Sequence, residues 1–513
     1  MPDTPFPRAV ITRRTLLTAA GAGAVAAALA ACTADAPPVP TPTAAPSPTP
    51  WSPPSEPMRF PTGFTWGAAT SAFQVEGSLA ADGRTPSVWD TFAARAGTIR
   101  DGSTGEPAAD QYRRYEEDAD LMASLGLGAY RFSISWSRVV PTSTGTIDSR
   151  GVDHYRRVID ALAGRGIRPA ITLFHWDLPQ WVQDAGGWIR RETADLFAEY
   201  ATACFEAFGD VDADWMTLNE PKTHAYVGHW YGAHAPGLRS SDVAAAAVHH
   251  QLLAHGRAVE RFRLSGAAGR IGIALNLIPV YPTDPAQPEA AVRVDARENR
   301  LFLDPVLLGT YPDDAVGGEA GQLPADPVTF TGLQKSGDLE TIAAPLDFLA
   351  VQYYGVTGVN PGGRETQVAP TSAAPWQQVL PEGLYDLLTR LAADYPAIPL
   401  LITENGIPDR SPAVTVDDPE RLEFFRTHFQ QAARAISDGV PLEGYYAWSL
   451  LDNFEWAEGY TQRWGIVAVD FETQERMPKR SAGFYADVIA ANAVPPAKHT
   501  SWIGSINPRA VAG

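Results

Sequence analysis

Residues 400–406 read Leu400-Leu401-Ile402-Thr403-Glu404-Asn405-Gly406, an apolar run that ends abruptly in a carboxylate, an amide and a glycine. A run this short, bounded by a turn signal, reads as a strand buried on both faces. The same pattern recurs along the chain. Residues 129–135, 169–174, 215–218, 271–275, 348–351 and 445–448 are similar runs. Most end in a polar or aromatic cluster: Arg131-Phe132-Ser133, His175-Trp176-Asp177, Asn219-Glu220-Pro221, Asn276, and Gln352-Tyr353-Tyr354. Helical stretches separate most of the runs. Over 153–165, Tyr155, Val158, Ile159 and Leu162 share one face, while Arg156, Arg157 and Asp160 point away. Such alternation suits either a doubly wound sheet or an eight-fold barrel with long loops. Polar clusters at the C-terminal ends of many strands are the barrel pattern, and no glycine-rich phosphate loop follows any of the runs. The expectation is an α/β chain folded as a single catalytic (β/α)8 TIM barrel.

Composition narrows the function. The chain has 513 residues, 45% apolar and 19% charged, enough to bury a large core. Its formal charge of −19 is the wrong sign for neutralising phosphate backbones, so no nucleic-acid partner is expected. Two cysteines, Cys32 and Cys204, exclude a disulfide framework. Ten histidines occur without an H-E-x-x-H motif, so neither a metal nor a cofactor is expected. Fourteen tryptophans are many, and an indole face serves a ligand as readily as a core.

The N-terminal stretch reads as an address. Thr12-Arg13-Arg14-Thr15-Leu16-Leu17 precedes a run of Ala, Gly, Leu and Val too short to span a membrane, which closes on Leu29-Ala30-Ala31-Cys32. The paired arginines resemble a twin-arginine export signal. The final quartet resembles a lipobox, whose cysteine would be lipidated and anchor the protein to the outer face of the cell membrane. Plain secretion after an Ala-x-Ala cut is the alternative. Ten prolines between Pro37 and Pro57 make the following segment an extended stalk. The expected divisions are therefore residues 1–31 as signal, 32–57 as lipidated cysteine and linker, and 58–513 as catalytic barrel. Arg8, Arg13 and Arg14 are balanced by Asp3, Asp35 and Glu56, so the whole net charge falls on the barrel.

Two carboxylates stand at strand ends, Glu220 and Glu404. On a barrel they would face one mouth, and a facing pair of carboxylic acids is what glycosidic bond cleavage requires. Taken singly, each could equally be a helix cap or a surface acid.

The blocks Phe64-Thr65-Trp66-Gly67-Ala68-Ala69-Thr70-Ser71-Ala72-Phe73-Gln74-Val75-Glu76-Gly77, Tyr130-Arg131-Phe132-Ser133-Ile134-Ser135-Trp136-Ser137-Arg138, His175-Trp176-Asp177-Leu178-Pro179, Thr217 to Pro221, Ile402 to Gly406, and Trp448-Ser449-Leu450-Leu451-Asp452-Asn453-Phe454-Glu455-Trp456 resemble the signature blocks of glycoside hydrolase family 1, in that family's order. The resemblance implies a barrel-shaped retaining β-glycosidase, commonly a β-glucosidase that releases non-reducing-end glucosyl units. It implies Glu220 as acid/base and Glu404 as nucleophile. Arg131 would keep the nucleophile ionised, Tyr354 would bond it, and Asn219 would bond the sugar 2-hydroxyl. Gln74, His175, Trp176, Glu455 and Trp456 match its sugar-binding groups, and Trp448 matches its stacking platform. Trp136, Trp181 and Trp215 are assigned to packing. A carboxylate at Glu455 would repel a 6-phosphate, so an unphosphorylated substrate is expected.

Two departures from the family pattern stand out. Gln352 replaces the usual asparagine before Tyr353-Tyr354, and Trp464 replaces the commoner phenylalanine. Both are expected to move preference and leave the two carboxylates untouched. Transglycosylation, β-galactosidase or β-fucosidase activity, and a sugar-binding lipoprotein without catalysis are the competing readings. The loops over 310–345 and 355–400 follow no readable rule.

Overall fold

The computed structural model describes residues 51–313 and 332–496. Eight parallel strands close on themselves: β1 (Thr65–Ala69), β2 (Ala129–Ser133), β3 (Arg168–Phe174), β4 (Ala213–Asn219), β5 (Gly269–Asn276), β6 (Phe348–Gln352), β7 (Leu400–Asn405) and β8 (Leu442–Trp448). Each pairs with its sequence neighbours, and β8 closes the ring on β1, with Gly444 opposite Thr65 and Trp448 opposite Ala69. Each of the seven apolar runs falls on one of these strands, although 129–135 runs two residues past the end of β2 and 400–406 one residue past the end of β7. β1 has no branched apolar run to announce it. It is held by close approach, since a Cβ on Gly67 would come within 2.5 Å of the Tyr446 ring.

Longer helices follow the strands and cover the outside: α1 (Gln111–Ser124), α2 (Ser149–Ala163), α3 (Glu192–Phe208), α4 (Ser241–Ser265), α5 (Pro381–Asp394), α6 (Pro419–Ser437) and α7 (Arg480–Ala491). α2 begins four residues before the expected 153, because the Asp148 side chain accepts the Arg150 N–H at 2.9 Å and caps the helix there. Its buried face carries His154, Tyr155, Ile159 and Leu162, with Val158 half-buried. Two short strands, Met58–Arg59 and Ala493–Val494, pair antiparallel and bring the two ends of the barrel together.

The barrel interior is layered. Asp214 is paired to Arg168 at 2.9 Å and Arg270 at 2.8 Å toward the N-terminal ends of β3, β4 and β5. Above this, Ala69, Ala129, Ala170, Met216, Ala274, Ala350, Leu401 and Tyr446, one from each strand, form an apolar layer. Side chains alternate along a strand, so positions two residues further on continue inward and reach the mouth.

The expected signal over 1–31, Cys32 and the linker up to residue 50 lie outside the described residues, and residues 51–57 form neither helix nor strand. Among the described residues no helix is long and apolar enough to cross a membrane. Cys204 is buried with a free thiol, and Trp136 and Trp215 are buried in the core while Trp181 is half-buried against it.

Candidate active site

Strand parity explains how the site is assembled. From Ala129, the next inward position on β2 is Arg131. From Phe348 and Ala350 on β6, the same parity gives Gln352 and then Tyr354. From Tyr446 on β8 it gives Trp448. On β4 and β7, however, simple alternation would turn Asn219 and Glu404 outward, because Met216 and Leu401 already face in. A pairing irregularity lies between Met216 and Asn219, and another between Ile402 and Glu404. Each adds a residue out of step and brings the amide or the carboxylate to the inner face. Glu220 follows in the left-handed region at φ 45°, as do Trp176 at 73° and Trp456 at 47°. Non-glycine residues held there store strain, which collects at functional sites.

Glu404 is 3% exposed and accepts three hydrogen bonds. Arg131 Nη1 and Gln352 Nε2 donate to its Oε1, the latter at 2.6 Å, and Tyr354 Oη donates to Oε2 at 2.7 Å. Arg131 is itself aimed by Thr172, whose Oγ1 accepts its Nε–H at 3.1 Å. Its Nη2 donates to Asn219 Oδ1 at 2.6 Å. A guanidinium can only donate, so this oxygen is fixed, and Asn219 Nδ2 must donate to His175 Nε2 at 2.9 Å. Burial, and behind it the charge of Arg131, hold the His175 pKa well below its ordinary value. The neutral ring therefore carries its proton on Nδ1, a buried atom without a protein partner that can donate to a ligand. Trp176 Nε1 donates to the Asn219 carbonyl at 2.9 Å.

The two carboxylates are placed differently. Glu220 receives a long bond from Asn276 Nδ2, at 3.3 Å, and its carboxyl also meets the Thr223 side chain and the charge of Lys222. Burial, and then the charge of Glu404, push its pKa up to about 7. Burial also raises Glu404, but Arg131 and Tyr354 oppose it. The proton shared by this pair therefore belongs on Glu220, while Glu404 is the carboxylate. An acid beside a carboxylate, both buried, can protonate a leaving oxygen on one side and attack on the other.

Gln74, Glu455 and the aromatic residues complete the group. Gln74 Nε2 donates to Asn453 Oδ1 at 3.1 Å and to Glu455 Oε2 at 3.4 Å. Burial, and then the charges of Glu404, Glu458 and Glu220, push the pKa of Glu455 up to about 8. The rings of Trp448 and Trp456 each lie near that of His175, with centroids 5.9 Å away. Trp176 is 4.8 Å from Trp456. All eleven residues expected to act in the site, Cys32 aside, are among the described residues. Hydrogen bonds or ring contacts link Arg131, His175, Trp176, Asn219, Tyr354, Glu404, Trp448 and Trp456; Gln74 bonds Glu455, and Glu220 and Glu455 join the group through their electrostatic coupling to Glu404.

Three neighbours were not foreseen in a role. Asn276 ends an apolar run, and that position was the signal that could have found it. Gln377 Nε2 donates to the carbonyls of Tyr354 and Gly406 at 3.0 and 2.8 Å, pinning the ends of β6 and β7 together. Trp376, 60% exposed, stacks at 6.0 Å on Trp464, which in turn meets Tyr354 edge-on at 5.6 Å. Gln377 and Trp376 lie in the loop whose sequence follows no readable rule.

Comparison with known proteins places this geometry in context. The model of the family described as Glycosyl hydrolase family 1 matches residues 56–494. Beta-glucosidase A of Thermotoga maritima is 42% identical over 447 residues, covering 85% of this chain and 98% of that protein. Thermostable beta-glucosidase B of Thermobispora bispora is 44% identical over 449 residues, covering 85% of this chain and 91% of that protein. A bifunctional beta-D-glucosidase/beta-D-fucosidase of Bifidobacterium breve is 40% identical over 464 residues, covering 84% and 98%. The structure of the Thermotoga maritima beta-glucosidase in complex with glucoimidazole is similar with a TM-score of 0.79 at 42% identity, covering 85% of this chain and 99% of that one.

Proposed function

The chain belongs to glycosyl hydrolase family 1, and from that premise we propose that it is a retaining β-glucosidase in which Glu404 attacks the anomeric carbon while Glu220 delivers and then recovers the proton. The observation that carries the assignment is the unequal setting of the two buried acids. Glu404 is gripped by a guanidinium, an amide and a phenol, whereas at Glu220 burial and the field of Glu404 outweigh the contacts with Asn276, Thr223 and Lys222.

In the first step Glu404 bonds to the anomeric carbon as Glu220 protonates the departing oxygen. Formation of the glycosyl ester removes the Glu404 charge, and with it part of what holds the Glu220 proton. Glu220 then accepts a proton from water, which attacks the same carbon and returns Glu404 to the carboxylate. The opposite faces of the two displacements give net retention. Asn219 Oδ1 is saturated by Arg131 and Gln352, so its remaining Nδ2 hydrogen is the one offered to the sugar 2-hydroxyl. The test is Glu404→Gly: hydrolysis of an aryl β-glucoside is expected to vanish and turnover to return with azide, giving the α-glucosyl azide. Failure of azide to restore turnover would remove Glu404 from the nucleophile's role.

The substrate is proposed to be unphosphorylated. Glu455, protonated or not, sits beside Glu458 and Gln74 and offers a 6-phosphate no compensating positive charge of its own. A 6-phospho-β-glucoside hydrolysed faster than the plain glucoside would overturn this.

Export and lipid anchoring are proposed from Arg13-Arg14 and from Leu29-Ala30-Ala31-Cys32. Cys32→Ala is expected to release the enzyme from the membrane fraction. Retention there would defeat the lipobox reading.

A further inference from the structure

We infer that Gln352 is a positioning residue for the second half of the reaction: one amide nitrogen, bonded at once to Glu404 and Asn219, holds the ester carbonyl oxygen while the glycosyl–enzyme is hydrolysed and couples the nucleophile to the group facing the sugar 2-hydroxyl. The inference rests on the reading of Glu404 as nucleophile.

Chemistry fixes the orientation of this side chain. Arg131 can only donate, so the Asn219 atom facing it is Oδ1. The Gln352 atom 2.7 Å from that oxygen must then be its NH2, and the same nitrogen lies 2.6 Å from Glu404 Oε1. Both amide hydrogens are spent. Gln352 Oε1 is left buried without a protein partner, an arrangement that ordinarily costs stability. Rotating the amide would give this oxygen no better place, because it would then face two acceptors. The orphaned oxygen therefore records that both N–H groups are committed to Asn219 and Glu404.

The consequence for Glu404 is asymmetric. Its Oε1 takes two N–H donors, while Oε2 takes only the Tyr354 hydroxyl. The less occupied Oε2 is the oxygen that bonds the anomeric carbon, and Oε1 becomes the ester carbonyl. In the second step water attacks that carbon and passes its proton to Glu220. The bond from carbon to Oε2 breaks, and its electron pair returns to the carboxylate, where the charge is shared with Oε1. Gln352 and Arg131 meet that returning charge. In the first step the same donors hold charge that must leave, so Gln352 favours ester hydrolysis at the expense of ester formation. Because the same nitrogen also restrains Asn219, the 2-hydroxyl contact and the carboxylate move as one unit.

Gln352→Met is the informative variant. It keeps the volume and removes the orphaned oxygen, and it leaves both Asn219 Oδ1 and Glu404 Oε1 with Arg131 as donor. Its melting temperature is expected to stay near that of the wild type, and Gln352→Leu serves the same purpose if the thioether disturbs packing. With 2,4-dinitrophenyl β-glucoside, kcat is expected to fall by about ten-fold or more, the worth of one hydrogen bond to a charged group. KM should fall with it, a stoichiometric burst of dinitrophenolate should appear, and the penalty for the 2-deoxy-glucoside should shrink several-fold. Kinetics unchanged from the wild type, or kcat and kcat/KM falling together with no burst, would overturn the role of Gln352 while wild-type retaining turnover still stood. Absence of retaining turnover in the wild type would overturn the reading of the site and this inference with it.

Discussion

Of the three buried carboxyls, Glu404 raises the proton affinity of both Glu220 and Glu455, Glu220 adds to that of Glu455, and only Glu404 has a guanidinium to answer the cost of burial. The expected result is a kcat/KM that declines above about pH 7 as Glu220 loses its proton. With the Glu404 charge removed in Glu404→Gln, Glu220 should titrate lower, which carbon NMR of labelled glutamate would register. The arrangement also has a stability signature. For both Glu220 and Glu455 the folded pKa lies above the unfolded value, so the folded chain holds protons the unfolded chain has already lost. Their contribution is complete below about pH 4.5 and is lost as pH rises through about 7 and 8. Glu455→Gln is therefore expected to stabilise the fold by about 1–3 kcal/mol at pH 8.5 and to change little at pH 4, read from melting curves, while weakening sugar binding.

The elements were readable to the degree that their side chains declared a period. β2 to β8 show themselves as apolar runs, and the polar residues that end them are those of the site. What the sequence hid was the out-of-step residue on β4 and on β7. A bulge leaves no compositional mark, yet without it Asn219 and Glu404 would face the helices. The contacts of Gln377 and Trp376 were hidden for another reason: their loop has no repeating pattern, and its course depends on partners far away in the chain. Gly406 shows how tightly the end of β7 is fitted. A Cβ there would lie 1.9 Å from the carbonyl of Trp448. Gly406→Ala is expected to push the ends of β7 and β8 apart, destabilising the protein by about 1–3 kcal/mol. It should also raise KM more than it lowers kcat, because Trp448 is the residue displaced. Steady-state kinetics and a melting curve on one sample would check both.

At the scale of the whole barrel, the loops after β7 and β8 are fastened to the chain leading into α7 by a buried ionic cluster. Lys479 Nζ bridges Asp409 at 2.7 Å and Asp452 at 2.8 Å. Arg421 pairs with Asp409 and Asp418, and Arg463 pairs with Asp452. Lys479→Met would leave three buried aspartates facing two arginines, and is expected to cost about 3–5 kcal/mol, visible as a large drop in melting temperature. The ring itself has no privileged starting point, since β8 pairs with β1 as regularly as any other neighbours do. Met58 lies opposite Val494, and Arg59 opposite Ala493. A circular permutant follows from this adjacency. Joining residue 494 to residue 58 by a few glycines and opening the chain in the exposed turn near Ser411 would leave every barrel strand and both carboxylates in their present neighbourhoods, so the rearranged gene should still encode a working glucosidase.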